Sequence, residues 1–279
     1  MKQAVLNAYE VRNANYAIVH SESEVDFNQF IDALAIIDGE KVIDIGGGYG
    51  PIFTRLINRY PGLTFSYDLL DGGSFQLKKA EEKIKVLLAD KQNDSVVRYM
   101  HQDATQLDLP AEYYDLVICK MFFHEIPKKY KKELIKSLSA ILKPGGRMVI
   151  WNPDLDENDY QFYTSVIKKK DELAGFESLV QNRHFLLNND FHQLVDEAGF
   201  IDFKKLLTFD YHLSTKNRLD EEFSGDRLKL DTWNEYILQI AENLDNDTRE
   251  RLNITVSGDD IYINFKRGVF SVQKPVSNL

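Results

Sequence analysis

Residues 44–50 form the segment of this sequence most suited to chemistry. They read DIGGGYG, directly after an apolar stretch, so that Gly46, Gly48 and Gly50 stand two apart. Glycine lets the backbone bend sharply and approach a ligand closely, and the first turn of a following helix offers free N–H groups to an anion. The pattern therefore predicts a turn that binds a nucleotide-type ligand. A dinucleotide fingerprint, G-x-G-x-x-G, would need its third glycine where Pro51 stands, which disfavours a nicotinamide cofactor.

A second group of reactive residues follows the fourth apolar run, where the sequence CKMFFHE covers residues 119–125. Open α/β folds bind their ligands at the carboxyl ends of the strands, so substrate is expected here. His124 is the candidate general base, because an imidazole with a pKa near ~6.5 accepts a proton at neutral pH. The alternative is that His124 only shapes a pocket wall.

The elements that must position these groups follow from the hydrophobic pattern. Short apolar runs alternate with amphipathic stretches, which is typical of βαβ units. Two later runs, 200–211 and 268–273, are expected to pair as antiparallel strands at the sheet edge. The predicted fold is α/β, with a Rossmann-like, seven-stranded, mostly parallel sheet and helices on both faces. The strands predicted for its parallel part are 41–45, 63–67, 96–100, 115–119 and 147–151.

The same pattern suggests how the chain is divided. Residues 1–40 are predicted to form an N-terminal helical lid. Residues 41–211 and 268–279 would form the ligand-binding domain, and residues 212–267 a small α+β cap inserted before the last strand. Apolar cap helices could serve as lids or as the surface of a homodimer.

Substrate walls must come from loops and lids at the sheet edge. An isolated arginine, Arg12 or Arg183, could pair with an acidic substrate. The side chains predicted to line the substrate site are Tyr16, Phe123, Asn152 and Tyr163.

The composition of the chain limits the classes of binding partner that are expected. The 279 residues are 43% hydrophobic and 28% charged, with a formal net charge of −10. Nucleic-acid binding is disfavoured, because it depends on Lys and Arg displacing counterions from phosphates. No apolar run suits a membrane span and the amino terminus lacks a secretory signal, so a cytoplasmic protein is expected. The lone Cys119 sits in an apolar run and can form no multi-cysteine metal site, and no metal is predicted.

From about residue 41 to 151 the sequence resembles the class I S-adenosylmethionine-dependent methyltransferases, whose first strand and loop read as an acid followed by G-x-G-x-G. The resemblance implies that Asp44 orients the methionine end of S-adenosylmethionine and that Gly46, Gly48 and Gly50 make room for the cofactor. S-adenosylhomocysteine would be the product.

Further acids are assigned by the same resemblance. An acid ending the second strand holds the ribose hydroxyls in this family, and Asp68 is assigned that role, with Asp71 as a competitor. Asp103 matches the acid after the third strand that receives the adenine amino group, and the adjacent Ala104 is assigned to the same end of the cofactor. The structural alternatives are that Asp68 only ends a strand and Asp103 only caps a turn.

The pair GGGYG and K-x-x-x-H-E resembles the small-molecule O-methyltransferases of the caffeate type. That resemblance implies a cofactor contact for Lys120 and a base role for His124, and it favours O-methylation of a small molecule. Those enzymes carry a large amino-terminal dimerisation domain, whereas about 40 residues precede the sheet here, so the acceptor class is not inherited. The alternatives are N-, S- or C-methylation without a side-chain base, and a cofactor-binding protein of this fold with a non-methylating activity.

Overall fold

The computed structural model describes residues 23–276, and within them one twisted sheet organises the chain. Its strands are β1 Lys41–Ile45, β2 Ser66–Asp71, β3 Val96–His101, β4 Tyr114–Lys120, β5 Leu142–Pro153, β6 Ile201–Ser214, β7 Thr255–Ser257 and β8 Asp260–Gln273. Their order in the sheet is β3-β2-β1-β4-β5-β8-β6, and the short β7 pairs with β8. Strands β1 to β5 are parallel, whereas β6, β7 and β8 are joined by antiparallel pairing. The predicted α/β fold with a mostly parallel sheet is confirmed.

Helices cover both faces of this sheet, because neighbouring residues of its strands point to opposite sides and both sides are apolar. The helices are α1 Glu24–Ala33, α2 Pro51–Arg59, α3 Ser74–Lys91, α4 Lys128–Ile141, α5 Glu157–Ala174, α6 Glu177–Asn182, α7 Asn188–Glu197, α8 Arg227–Ala241 and α9 Asn246–Leu252. Val42 lies in the core under α1, α2 and α3, whereas Ile43 faces α4 and α7.

Strand β2 differs from its predicted position. It was expected over 63–67, and it runs from Ser66 to Asp71. The run SYDLLD interrupts its apolar residues with Asp68, and this made the strand look finished four residues early. The residue that ends β2 is therefore Asp71, and the premise that Asp68 ends it is wrong.

A third apolar core lies beyond the parallel strands, between α5, α8 and the outer parts of β6 and β8. Trp233 fills its centre and donates its indole N–H to the carbonyl of Val166 at 2.9 Å. The antiparallel pair of β6 and β8 passes through the predicted cap boundaries at 211 and 268, and β6 reaches Ser214. The division into a lid, a binding domain and a cap remains a prediction, and residues 1–22 of the lid lie outside the described part of the chain.

Two further properties of the described residues concern membrane spans and metal ions. Within residues 23–276, no helix combines the length and apolar character that crossing a bilayer requires. The same residues contain no group of three or more His, Cys, Asp or Glu side chains placed to hold a metal ion.

Candidate functional site

The glycine-rich turn joins the carboxyl end of β1 to α2. Gly46, Gly48 and Gly50 have φ values of +75°, +52° and +66°, a region that residues with a Cβ rarely enter. The N–H groups of Gly46 and Gly47 donate to the carbonyl of Leu70 at 2.8 and 3.2 Å, so the turn is held against β2. Pro51 then starts α2, a position where its missing N–H costs nothing.

The glycines of the turn differ in what surrounds them. A Cβ on Gly46 would lie 2.6 Å from the ring of Phe122, and one on Gly47 would lie 2.2 Å from Leu69. Among residues 23–276, a Cβ on Gly48 would meet nothing closer than Asp71 Oδ2, at 3.9 Å. Gly46 and Gly47 are therefore required by packing, whereas the described residues leave space beside Gly48 at the carboxyl edge of the sheet.

Asp44 lies beneath the turn with 1% of its surface exposed. Its Oδ2 accepts a hydrogen bond from the hydroxyl of Tyr67 at 2.8 Å, while Oδ1 is buried and has no hydrogen-bond partner among the described residues. Burial raises the pKa of Asp44 to about 7, and the nearby charge of Lys120 works against that rise. A buried acceptor without a donor is costly, so this atom suits a cationic ligand.

Asp71 is the acid at the end of β2 that faces the turn. Its Oδ2 accepts from the N–H of Gly48 at 2.9 Å, and its Oδ1 accepts from the N–H of Gly73 at 2.8 Å. Burial raises the pKa of Asp71, and these two N–H donors oppose the rise. Each carboxylate oxygen keeps a further lone pair for a ligand hydroxyl.

Asp68, in contrast, is engaged within the protein. The guanidinium of Arg98 binds both its oxygens, and the hydroxyl of Tyr114 donates to Oδ2. Its carboxylate lies on the α4 face, away from the glycine turn, where it joins β2 to β3 and β4. The ribose assignment of Asp68 is therefore corrected, and Asp71 takes its place as the candidate.

Asp103 follows β3 and caps a single 3-10 turn, Ala104–Gln106. Its Oδ1 accepts from both the N–H and the hydroxyl of Thr105 at 2.8 Å. The capping role considered from the sequence is present, and a contact to adenine stays a prediction. Ala104 is buried at 8% exposure in the same turn.

Lys120 ends β4 and lies between aromatic rings. Its Nζ is 5.0 Å from the ring centre of Trp151 and 5.2 Å from that of Phe27, which comes from α1. Its charge also acts on Asp44. The Lys120 ammonium therefore interacts both with the carboxyl group of Asp44 and with the ring of Phe27 on α1.

His124 lies on the 3-10 turn that follows β4. Its ring stacks on Phe185 at 5.2 Å and 16°, and its Nε2 is 3.2 Å from Glu125 Oε1. Burial lowers the pKa of His124, while Glu125 opposes that shift, so the imidazole is neutral at pH 7. If Nε2 carries the proton toward Glu125, Nδ1 is the acceptor; that atom is buried without a hydrogen-bond partner among the described residues.

A cleft opens beside His124. Phe123 and Asn152, both predicted to contact substrate, lie in its wall. Tyr163 stands one layer behind, with its ring edge-on to Phe185 at 4.9 Å, and Tyr16 lies outside the described residues. The residues that line the cleft are Phe123, His124, Asn152, Pro153, Leu155, Phe185, Leu186, Asn188, Phe191 and Phe270.

The sequence analysis did not predict the residue that supports this cleft, Lys131. Lys131 is 1% exposed and donates to the carbonyl of Phe123, which fixes the turn that carries His124. Burial lowers the pKa of Lys131 to about 7. The signal was present, because Lys131 falls in the apolar stripe of α4 at helical spacing from Leu134 and Ile135. For Phe185, which follows α6 in a loop, no periodic signal existed.

Comparisons with known proteins agree with this geometry. Residues 42–146 match the family model described as "Methyltransferase domain". A ubiquinone/menaquinone biosynthesis C-methyltransferase, UbiE of Stutzerimonas stutzeri, is 33% identical over 112 residues, which are 40% of this chain and 41% of that protein. The chain thus spans less than half the length of the curated relatives it matches.

Solved structures share the fold over most of the chain. A candidate methyltransferase from Bacillus halodurans superposes with a TM-score of 0.72 at 19% identity, covering 90% of this chain and 100% of that one. Phosphoethanolamine N-methyltransferase 2 of Haemonchus contortus, solved with S-adenosylhomocysteine, superposes with a TM-score of 0.52 at 20% identity and covers 97% of this chain and 57% of that one. At such identities the likeness concerns the fold alone. The family match, the sheet order and the turn together identify residues 42–146 as a class I, S-adenosylmethionine-dependent methyltransferase domain.

Proposed function

We propose that this protein binds S-adenosylmethionine over the glycine turn and transfers its methyl group to a small-molecule acceptor held against the cleft beside His124. The observation that carries the proposal is the position of the turn between two carboxylates, the buried Asp44 and the half-buried Asp71, at the carboxyl edge of β1 and β2.

The described residues include candidate contacts for each part of the cofactor, namely the methionine, the ribose and the adenine. Asp44 Oδ1, buried without a donor among residues 23–276, would accept from the ammonium of the methionine part. The oxygens of Asp71 would accept from the ribose hydroxyls, next to the space that the described residues leave beside Gly48. Asp103 and Ala104 follow β3 at the same sheet edge and would contact adenine. Lys120 would stay beside Asp44, where its positive charge favours the carboxylate form that the ammonium needs.

When bound, the cofactor supplies an electrophilic methyl group on a positively charged sulfur. The chain's own contribution is to orient the acceptor and keep the site dry. The wall of Phe123, Phe185, Phe191 and Phe270 excludes water from the neighbourhood of His124. Well-oriented reacting groups reach effective molarities of ~10⁵ to 10⁸ M, so orientation supplies much of the rate.

His124 would take the acceptor's proton at Nδ1. Burial keeps the imidazole neutral, and the contact between Nε2 and Glu125 holds the tautomer in which Nδ1 can accept. Glu125 also stabilises the imidazolium that forms. This base suits a hydroxyl acceptor, and we propose O-methylation.

C-methylation is the second candidate, and the names of the UbiE relatives favour it. Removal of a proton from a phenolic hydroxyl also activates the adjacent ring carbon, so the same base would serve both outcomes. The net charge of −10 supports a small acceptor over a nucleic acid.

The test is calorimetric titration with S-adenosylhomocysteine of two matched glycine variants. Gly48→Ala places a Cβ at φ +52° beside Asp71, and Gly258→Ala places one at φ +62° in the distant β7–β8 turn, where it meets nothing within 4 Å. Both carry the strain of a left-handed residue, so their stabilities should fall alike. We expect Gly48→Ala alone to lose at least about tenfold in affinity, which is about 1.4 kcal/mol.

Methyl transfer itself is tested by incubating the protein with S-adenosylmethionine and a panel of hydroxybenzoates, followed by mass spectrometry of the products. An O-methyl product supports the first candidate and a ring-methyl product the second. If the wild-type protein does not bind S-adenosylhomocysteine, or if both glycine variants bind it equally, the proposed function fails.

A further inference from the structure

Three arginines are buried together between the parallel sheet and the cap region. Arg218 lies in the 3-10 turn after β6 and is 4% exposed, and Arg267 lies on β8 and is 3% exposed. Arg183 directly follows α6, with its side chain 9% exposed. We call Arg183, Arg218 and Arg267 the arginine cluster. A buried guanidinium needs charged or hydrogen-bonding partners, so the surroundings of the cluster decide what it can bind.

The cluster converges on two tyrosines. Arg218 Nη2 donates to the hydroxyl of Tyr211, and the guanidinium carbon of Arg267 lies 3.7 Å from the centre of the Tyr211 ring. Burial raises the pKa of Tyr163, and the positive charges of Arg267, Arg183 and Arg218 each oppose that rise.

The acids nearby are bound by the cluster itself and by Lys170. Asp171 accepts from Arg183 Nη1 at 2.6 Å, and Glu222 accepts from Lys170. Arg218 Nη1 is 3.5 Å from Glu222 Oε1, which makes an ion pair, but neither Nη1 nor Nε of Arg218 has a hydrogen-bond partner among the described residues. These two donors lie on different edges of the guanidinium, so each can serve a separate acceptor atom.

The cluster also lies close to the proposed base. Phe185 stacks on His124 at 5.2 Å and meets Tyr163 edge-on at 4.9 Å. Arg183 reaches back to Glu125, the carboxylate beside His124. One layer of aromatic rings therefore separates the arginine cluster from the cleft.

We propose that the arginine cluster binds an anionic group, a carboxylate or a phosphate, carried by the methyl acceptor. The planar fork of arginine matches both groups and binds them through paired N–H donors. Arg218 supplies two donors, Nε and Nη1, that have no hydrogen-bond partner among the described residues, and Tyr211 accepts from its Nη2 and holds the guanidinium in place. Tyr163 and Phe185 supply apolar surface for a planar body between the anion and His124. The inference rests on the proposed function, because it assigns a chemical class to the acceptor of that same site.

The test is calorimetry on the protein saturated with S-adenosylhomocysteine, with benzoate, phenyl phosphate and benzamide as probes. Benzamide has nearly the shape of benzoate and no charge. We expect benzoate, phenyl phosphate or both to bind at least tenfold more tightly than benzamide, and the stronger of the two identifies carboxylate or phosphate as the natural group.

Two variants localise the effect. Arg218→Met should remove the preference for the anion while benzamide affinity stays unchanged. Arg227→Met is the matched control, because Arg227 is exposed and pairs only with Asp259 among the contacts described, at the start of α8. It should leave all probe affinities as in the wild type.

Equal affinity for benzoate, phenyl phosphate and benzamide in the wild-type protein overturns the inference without any variant. So does an Arg218→Met protein that binds S-adenosylhomocysteine normally and keeps the preference for the anion. A wild-type protein that fails to bind S-adenosylhomocysteine refutes the proposed function, and this inference with it.

Discussion

The two ends of the site bury opposite charges. At the edge of β1 and β2 lie the buried carboxylate of Asp44 and the half-buried carboxylate of Asp71, which accept hydrogen bonds from Tyr67 and from backbone N–H groups. Beyond β5 the buried groups include the guanidinium groups of Arg218 and Arg267, packed on Tyr211. The difference shows how one site can hold two ligands in order, with the ammonium and hydroxyl groups of a cofactor at the acidic end and an anionic acceptor at the basic end.

The same contrast separates two acids of one strand. Asp68 and Asp71 are both on β2, yet Asp68 is bound by Arg98 and Tyr114, whereas Asp71 is bound by backbone N–H groups of the loops. A carboxylate paired with a guanidinium holds strands together. A carboxylate that meets only backbone donors keeps its charge available to a ligand.

The largest expected effect concerns His124, which lies where the two ends meet. Replacing it by glutamine removes the proton acceptor and should lower turnover by ~10² to 10⁴-fold, the usual contribution of a positioned base. Affinity for S-adenosylhomocysteine should stay within about twofold. The measurement is the rate of S-adenosylhomocysteine formation with the hydroxybenzoate panel.

A matched control is His192→Gln. His192 also stacks on a phenylalanine, Phe203, at 4.3 Å and also lies near an acid, Asp196, but its side chain is 50% exposed on the outer side of α7. Its turnover should equal that of the wild type. Unchanged turnover in His124→Gln would remove the base role and leave methyl transfer to proceed by orientation alone.

The next effect sharpens the comparison between the two acids of β2. Asp71→Asn should weaken S-adenosylhomocysteine binding by about 30-fold, since hydrogen bonds to a charged group contribute about 2 kcal/mol. Asp68→Asn should leave that affinity unchanged and instead lower the free energy of unfolding by about 1 kcal/mol, because Arg98 and Tyr114 lose a charged partner at a half-exposed pair. Calorimetry and urea unfolding of both variants measure the two quantities. The opposite pattern would return the ribose to Asp68.

The smallest effect is a pH dependence at Asp44. Because burial raises its pKa to about 7, the free protein carries a neutral carboxyl below that pH and a carboxylate above it. An ammonium ligand needs the carboxylate, so S-adenosylhomocysteine affinity should rise about tenfold between pH 6 and pH 8. Asp44→Asn should bind weakly at both pH values.

The free energy of unfolding of the ligand-free protein should change in the opposite direction and fall as the pH rises. A carboxyl whose pKa is raised on folding stabilises the folded state while protonated, and this contribution is lost as pH rises through about 7. In urea unfolding, the stability of the ligand-free Asp44→Asn protein relative to the wild type should therefore rise by about 2 to 3 kcal/mol between pH 5 and pH 8, because the wild-type carboxyl is ionised in the unfolded state at both pH values but is neutral in the folded state at pH 5. A stability difference that does not change with pH would show that Asp44 is not strained by its charge.

The sequence predicted the acidic end better than the basic end, for physical reasons. The turn at 46–50 is local, because its glycines follow directly from the backbone bends they permit. The end of β2 was misplaced, since a buried acid such as Asp68 breaks an apolar pattern unless its distant partners are known. The arginine cluster draws on Arg183, Arg218 and Arg267, which lie far apart in the sequence and come near one another only through tertiary contacts. Arg183 was a candidate for an acidic substrate, but nothing in its neighbours along the chain indicated the other two.

A crystal structure with S-adenosylhomocysteine bound tests the central claim most directly. It should show the homocysteine ammonium at Asp44, the ribose hydroxyls within about 3.2 Å of the Asp71 carboxylate, and the sulfur pointing toward His124. A complex in which the ligand lies elsewhere, or in which Asp71 still meets only Gly48 and Gly73, would contradict the account.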